Sequence, residues 1–260
     1  MRSLQFERAG TTLTALVRDG AGAPLVVLPG VMANAESWLP VVEHIHLPNP
    51  VIVLNRRGRT PSGPLGPHYS VRTEIDDLHR ILDDLGTDTH LFGWSYGGLI
   101  AVEAATERYD LRSLTLYEPV ATPFAAEHVA PLRETTARGD LDRAVEIVNR
   151  DVSGFSAEYV ENLRSSPVWP ALVRLAAPLA EELAAINDHS PALGRYPSLD
   201  MPVTLLVGEQ SEGRLPYGKP HAMFVSALTQ AKVSRITGQG HLAHVHAPDL
   251  LGKHITDAVH

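Results

Sequence analysis

The chain contains no cysteine. Disulfides, thiolate metal sites and a cysteine nucleophile are thereby excluded, and cysteine usage leaves the redox compartment unread. It is also short of positive charge: 22 Lys and Arg stand against 30 Asp and Glu, for a net charge of −8. With no run of basic residues, nothing offers a stripe for a phosphate backbone, and nucleic acid is not an expected partner. No apolar run approaches the roughly 20 residues of a membrane span, and the opening MRSLQFERAGTTLTALVRDG is too polar for a signal-peptide core. The expectation is a cytoplasmic protein that does not engage membranes. Internal repeats, low-complexity tracts and linkers are missing as well, which argues against independent domains. What is present is a length of 260 residues, 44% of them hydrophobic, enough for one unit with a sizeable core.

Short branched-aliphatic runs punctuate the chain. LVVL (25–28) and VIVL (51–54) end in Pro-Gly and Asn-Arg-Arg-Gly, as strands buried on both faces of a parallel sheet do. TTLTALV (11–17) alternates loosely and is followed by the turn-rich DGAGAP, which predicts an edge hairpin at that point. Val71, Ile75, Leu78, Ile81, Leu82 and Leu85 recur at helical steps and predict an amphipathic crossover helix stopped by Gly86. THLFGW then reads as a strand, SYGGLIAVEAATERY as a helix, and SLTLY (113–117) as the next strand. This alternation predicts an α/β fold with a mostly parallel sheet flanked by helices.

The alternation pauses from Pro123 to Tyr196, where helical patterns broken by prolines carry no strand signal. Strands resume with PVTLLVG (202–208) and KVSRI (232–236), and a last helix runs from Pro248. The expected organisation is a core of residues 1–122 and 200–260, with residues 123–199 as a helical cap inserted between the sixth and seventh strands.

Gly93-Trp94-Ser95-Tyr96-Gly97 matches G-x-S-x-G between a predicted strand and a predicted helix, the context of a nucleophile elbow. Strand and helix converge there, so small residues must flank the strained serine. Close helix packing or a phosphate contact would also use such glycines, but no G-x-G-x-x-G accompanies them.

A serine hydroxyl needs a base to take its proton and a carboxylate to orient that base. His241, in the glycine-bounded loop of VSRITGQGHLAH after the last predicted strand, is the candidate base. With His244 and His246 it resembles a metal cluster, but no carboxylate stands at ligand spacing, and no metal is expected. For the acid, the usual place after the seventh strand is occupied by Ser211 in LLVGEQSEG. Glu118, at the end of SLTLYEPV, is the preferred candidate, with Glu209 and Glu212 as alternatives. The oxyanion hole would take one N–H from Tyr96 and one from Val31 in VVLPGVMANAESW. The arginines of NRRGRTPSG read as structural or solvated, not catalytic.

In sum the chain resembles the α/β-hydrolase superfamily over nearly its whole length. Pro29-Gly30, Arg57-Gly58, the elbow and Gly238-Gln239-Gly240-His241 occur in the family's order. Pro-Gly in place of the usual His-Gly, and Ser211 in place of the usual late Asp, are the departures. The pattern is most similar to the zearalenone-lactonase-like branch, which places a glutamate after the strand following the elbow and has a cap stretch like Asn149–Gly154. The resemblance implies an ester or lactone hydrolase with Ser95, His241 and Glu118 as its triad, acting through an acyl-enzyme and without a cofactor. Carbon–carbon hydrolysis, thioester cleavage, perhydrolysis and a non-turnover binding role remain alternatives on the same groups. Met32, Trp94, Phe155, Tyr159 and Trp169, with Leu163 and Leu172, are candidates to line a pocket for a small, largely apolar substrate. A small-molecule substrate is the expected partner, and a homodimer is admitted.

Overall fold

A computed structural model describes every residue of the chain except Ala9, Thr87 and His260. Its centre is an eight-stranded sheet: β1 (Arg2–Arg8), β2 (Thr11–Arg18), β3 (Leu25–Leu28), β4 (Val51–Asn55), β5 (Thr89–Trp94), β6 (Leu111–Tyr117), β7 (Val203–Gly208) and β8 (Lys232–Ile236). Their order in space is β1-β2-β4-β3-β5-β6-β7-β8. β2 pairs antiparallel with both β1 and β4, and all the other neighbours pair parallel. The mostly parallel sheet is the one expected from the alternation of strand and helix, and the whole is the α/β-hydrolase fold that the resemblance implies.

The branched-aliphatic runs have the burial their composition requires. Along β3, Val26 and Leu28 join the core on one face of the sheet, while Leu25 and Val27 join the core on the other. A strand that alternates between two dry faces has no use for polar residues. On the first face lie α2 (Val71–Leu85) and α3 (Tyr96–Ala105), whose residues pack against Leu91, Leu114 and Leu205. On the second lie α1 (Leu39–Glu43) and, at the end of the chain, the helix Pro248–Val259, which cover Val53, Phe92 and Leu206. Helix α2 matches its predicted bounds because both ends are chemically marked: Ser70 accepts a hydrogen bond from the Thr73 amide, and Gly86 closes the last turn at φ 61°.

Two expectations needed correction. The edge hairpin closes before Thr11, not after Arg18: β1 pairs with β2, whereas DGAGAP leads into the sheet interior at β3. β1 was not anticipated because it is an edge strand in which only Phe6 is fully buried, so it has almost no hydrophobic pattern. The helix after the elbow ends at Ala105, four residues short of the expected Tyr109, where Thr106 caps it.

Between β6 and β7 the chain is helical: α4 (Val129–Ala137), α5 (Leu141–Ile147), a π-helical turn (Val148–Val152), α6 (Ala157–Arg164), α7 (Trp169–Leu175) and α8 (Leu179–Asp188). Three of its prolines mark helix starts. Pro131 lies in the first turn of α4, Pro170 in that of α7, and Pro178 caps α8. Their missing amides fall where no intrahelical partner exists. After β7 come α9 (Gly218–Ala227) and, beyond β8, α10 (Ala243–His246) and α11, the Pro248–Val259 helix already described.

Candidate active site

Ser95 joins β5 to α3 at φ 57° and ψ −121°, a conformation sparsely populated by residues with a side chain. The surrounding glycines make it attainable. A Cβ on Gly97 would stand 2.1 Å from the Leu28 carbonyl oxygen, and one on Gly93 would stand 2.5 Å from the Gly97 oxygen. The turn is pinned from the neighbouring strand, since the Ser95 amide donates to the Tyr117 oxygen at 3.0 Å. Tyr96 follows as the first helical residue, so its N–H has no partner within α3. Its side chain turns away into a buried polar cluster, where its hydroxyl accepts from Tyr69 at 3.2 Å.

Glu118 is the residue after β6. It is fully buried, and its backbone sits at φ 42°. Both carboxylate oxygens are engaged: Oε1 accepts from the Gly208 amide at 2.8 Å, and Oε2 lies 2.6 Å from His241 Nδ1. The carboxylate therefore holds the imidazole with Nδ1 donating, which leaves Nε2 as the acceptor. Burial pushes the His241 pKa below its ordinary value, and the hydrogen bond to Glu118 acts in the opposite direction.

The His241 loop is held independently by aromatic residues. The Trp94 indole N–H donates to the His241 oxygen at 3.0 Å, and the Tyr117 hydroxyl donates to the Gly240 oxygen. Tyr217 stacks on the imidazole face to face, with ring centroids 3.4 Å apart and planes 7° apart, and its hydroxyl is 2.9 Å from Ser153 Oγ of the helical insert.

The other acid candidates point elsewhere. Glu209 accepts from the Gly238 amide at 2.8 Å in an exposed turn, and Glu212 pairs with Arg235 at 2.7 Å. Ser211 is enclosed against the start of α9, where a Cβ on Gly218 would stand 2.0 Å from its carbonyl oxygen. His244 is buried between Trp38 and Trp94, and His246 is exposed. Among the described residues no group of three or more His, Cys, Asp or Glu could hold a metal ion.

Gly30 brings the loop after β3 onto the elbow, for a Cβ there would stand 2.8 Å from Ser95 Cβ. Beyond it Val31 and Met32, the latter at φ 56°, border the same cavity as Ser95 and His241. That cavity, of about 740 Å³, opens between the C-terminal edge of the sheet and the insert. Trp94, Phe155, Tyr159, Leu163 and Leu172 line it, Phe155 and Tyr159 packing ring against ring at 4.6 Å. Trp169 does not. Its indole N–H is drawn to Asp142 at 2.8 Å and Arg164 lies over its ring, so it packs inside the insert while Val168, Leu172 and Leu175 take the cavity side of α7.

Several residues of the site have no motif to announce them. Tyr217 and His244 line the cavity. The arginines of NRRGR are buried, not solvated: Arg56 is 3% exposed, Arg57 7% and Arg59 not at all. Arg56 pairs with Glu74 and Glu182, Arg57 with Asp77, and Arg59 with Glu182. The acidic residues among the apolar positions of α2 were the available signal, since Glu74 and Asp77 fall on its buried side.

Strand order, elbow backbone and the site at the sheet's C-terminal edge define the class. Residues 25–252 match the family model described as the Alpha/beta hydrolase family, and the chain belongs to that family. It is similar to the polyketide synthase ThaQ of Burkholderia thailandensis, 28% identical over 253 residues, which are 91% of this chain but span only 12% of that much longer protein. Among solved structures, an alpha/beta hydrolase from Sphaerobacter thermophilus superposes with a TM-score of 0.84 at 23% identity, covering 99% of this chain and all of that one. The enol-lactonase from Burkholderia xenovorans superposes with a TM-score of 0.80 at 20% identity, covering 98% and 99%.

Proposed function

We propose that this hydrolase cleaves an ester or lactone of a small, largely apolar molecule through a covalent acyl-enzyme. The observation that carries the reading is the 2.6 Å contact between a fully buried Glu118 and His241 Nδ1, in the wall of the cavity that Ser95 also lines. His241 Nε2 takes the Ser95 proton as Oγ attacks the carbonyl carbon. The amides of Val31 and Tyr96 hold the tetrahedral oxyanion, and collapse expels the alcohol as His241 returns the proton to it. Water, deprotonated in its turn by His241, then releases the acid.

The insert acts as the cap of this site, its apolar residues from Phe155 to Leu183 supplying the wall opposite the elbow. Placement of the acid after β6 supports kinship with the zearalenone-lactonase-like branch, and the similarity in fold to an enol-lactonase is consistent with a lactone substrate. No step calls for a metal or an organic cofactor. Thioester cleavage is the second reading, favoured by the match to a stretch of a polyketide synthase.

A fluorophosphonate probe tests the nucleophile: it should label Ser95 one to one, and Ser95→Ala should abolish labelling. An unlabelled native protein would refute the reading. A panel of lactones, aryl esters and acyl thioesters then separates the substrate classes by kcat/KM, with lactones and esters expected to lead.

A further inference from the structure

The loop after β3 is held from behind by β4. Arg56, the residue after that strand, donates from Nε to the Pro29 oxygen at 2.8 Å and from Nη2 to the Gly30 oxygen at 2.9 Å. The same guanidinium meets Glu74 of α2 at 2.7 Å and Glu182 of α8 at 2.7 Å, and it lies over the Tyr96 ring at 4.8 Å. Asn55 Oδ1 accepts from the Ala35 amide at 2.7 Å, and Arg59 donates to the Ala33 oxygen at 3.3 Å while pairing with both oxygens of Glu182.

The Gly30 contact has a geometric consequence. In a trans peptide the C=O and the following N–H point in opposite directions. Fixing the Gly30 carbonyl on Arg56 therefore turns the Val31 N–H away from Arg56, and Val31 lines the cavity together with Ser95. A planar fork of donors can hold two successive carbonyls and two carboxylates at once, which a lysine ammonium on a flexible stem cannot. Burial makes the arrangement stiff, because the pair Arg56 and Arg59 is balanced by Glu74 and Glu182 away from water.

We infer that Arg56 is a positioning residue for the oxyanion hole, aiming the Val31 amide at the reacting carbonyl, and that Glu182 couples this aim to the docking of the helical insert. The inference rests on the reading of Ser95 as nucleophile with Val31 as an oxyanion donor. It assigns to the insert a role beyond enclosing substrate, since α8 supplies one of the charges that hold the catalytic backbone in place.

The test compares native enzyme with Arg56→Lys and Glu182→Gln, using an aryl ester for turnover and phenylboronic acid as the probe. The boronic acid takes Ser95 Oγ onto boron and places an oxygen where the oxyanion would sit, so its affinity reports on the hole. Arg56→Lys should lower kcat by about 10² to 10³, leave KM within about threefold, and weaken boronic-acid binding in proportion. Glu182→Gln, an isostere that keeps the shape of the pair, should show the same pattern at roughly tenfold. Glu182→Gln carries the test should Arg56→Lys fail to fold. If the folded variants keep native kcat and native boronic-acid affinity, or lose activity through KM alone, the inference is overturned. If native enzyme is not labelled on Ser95, the hydrolase reading falls and takes this inference with it.

Discussion

Ser95 stands between two walls built on opposite principles. Toward β4 the wall is ionic: Arg56, Arg59, Glu74 and Glu182 lie buried together, and the two guanidiniums also donate to backbone carbonyls of the β3 loop. Toward β8 it is aromatic. Trp38, Trp94, Tyr117 and Tyr217 surround the loop that carries His241 and His244. The ionic wall holds dipoles in place and carries nearly balanced charge, so it tolerates burial only while every partner is present. The aromatic wall excludes water, which costs a charged imidazole and favours a neutral one. On the proposed reading, the ionic wall backs the oxyanion and the aromatic wall keeps the base neutral.

The most severe way to break this division is at the one charge that crosses into the aromatic side. Glu118→Gln keeps the volume but offers an amide where Nδ1–H needs an acceptor, and it leaves the imidazolium formed in the transition state without its counter-charge. We expect kcat to fall by about 10⁴. Glu209→Gln, whose carboxylate holds only the Gly238 amide in an exposed turn, should stay within about twofold. A reversed outcome in steady-state kinetics would move the acid to the far side of β7.

The ionic wall should fail in stability when one partner is removed. Glu182→Ala leaves Arg56 and Arg59 buried with a single carboxylate between them, and should lower the unfolding free energy by about 3 to 5 kcal/mol. Urea denaturation followed by circular dichroism measures this. Glu182→Gln, which keeps the shape and gives up the charge, should lose nearly as much; a small loss in Glu182→Gln beside the full loss in Glu182→Ala would show that packing, not charge, holds the wall.

These two walls differed in how far they could be read from residues in a row. The proposed triad stood out in the sequence because Ser95 and Glu118 directly follow β5 and β6 and His241 lies in the loop beyond β8, the places where such chemistry would need a serine, an acid and a histidine. The ionic wall did not. Glu182 meets Arg59 across 123 positions of sequence, and a glutamate in an amphipathic helix looks solvated until another element covers it. Trp169 failed for a related reason: an indole on α7 suits a pocket as well as a core, and only the position of Asp142 decides. The short apolar runs fixed which strands lie at the centre, while β1, with one buried side chain, left almost no trace.

The aromatic wall should respond to acid. His244 has burial as the main cause of a pKa brought down to about 3, with the neighbouring His241 and His246 adding to it. In the unfolded chain it titrates near 6.5. Between about pH 6.5 and pH 3 the unfolded state therefore binds the extra proton, and stability rises with pH across that window. At pH 5 the native protein should have lost about 2 kcal/mol through His244 relative to neutral pH. His244→Phe keeps the stack on Trp38 and removes the titration, so its loss between pH 7 and pH 5 should be smaller by that amount. Parallel stability curves for the two proteins would show that His244 is not held neutral by the fold.

Tyr217 sharpens the comparison most finely, because its two effects on His241 have opposite signs. By covering the ring it excludes water and pushes the pKa down, while its π face attracts the imidazolium and pushes the pKa up. Burial leads among the causes acting on His241, so exclusion of water should prevail. As the proposed base His241 works when neutral, so kcat/KM should fall on the acid side as Nε2 is protonated. Tyr217→Ala, which admits water, should raise that pKa toward its ordinary value and move the acid limb to higher pH, with kcat about tenfold lower from the loosened ring. Tyr217→Phe keeps the stack and gives up only the contact with Ser153, so its acid limb should coincide with that of the native enzyme. A limb that moves to lower pH in Tyr217→Ala would mean that the wall stabilises the imidazolium directly, and that both sides of Ser95 act by holding charge.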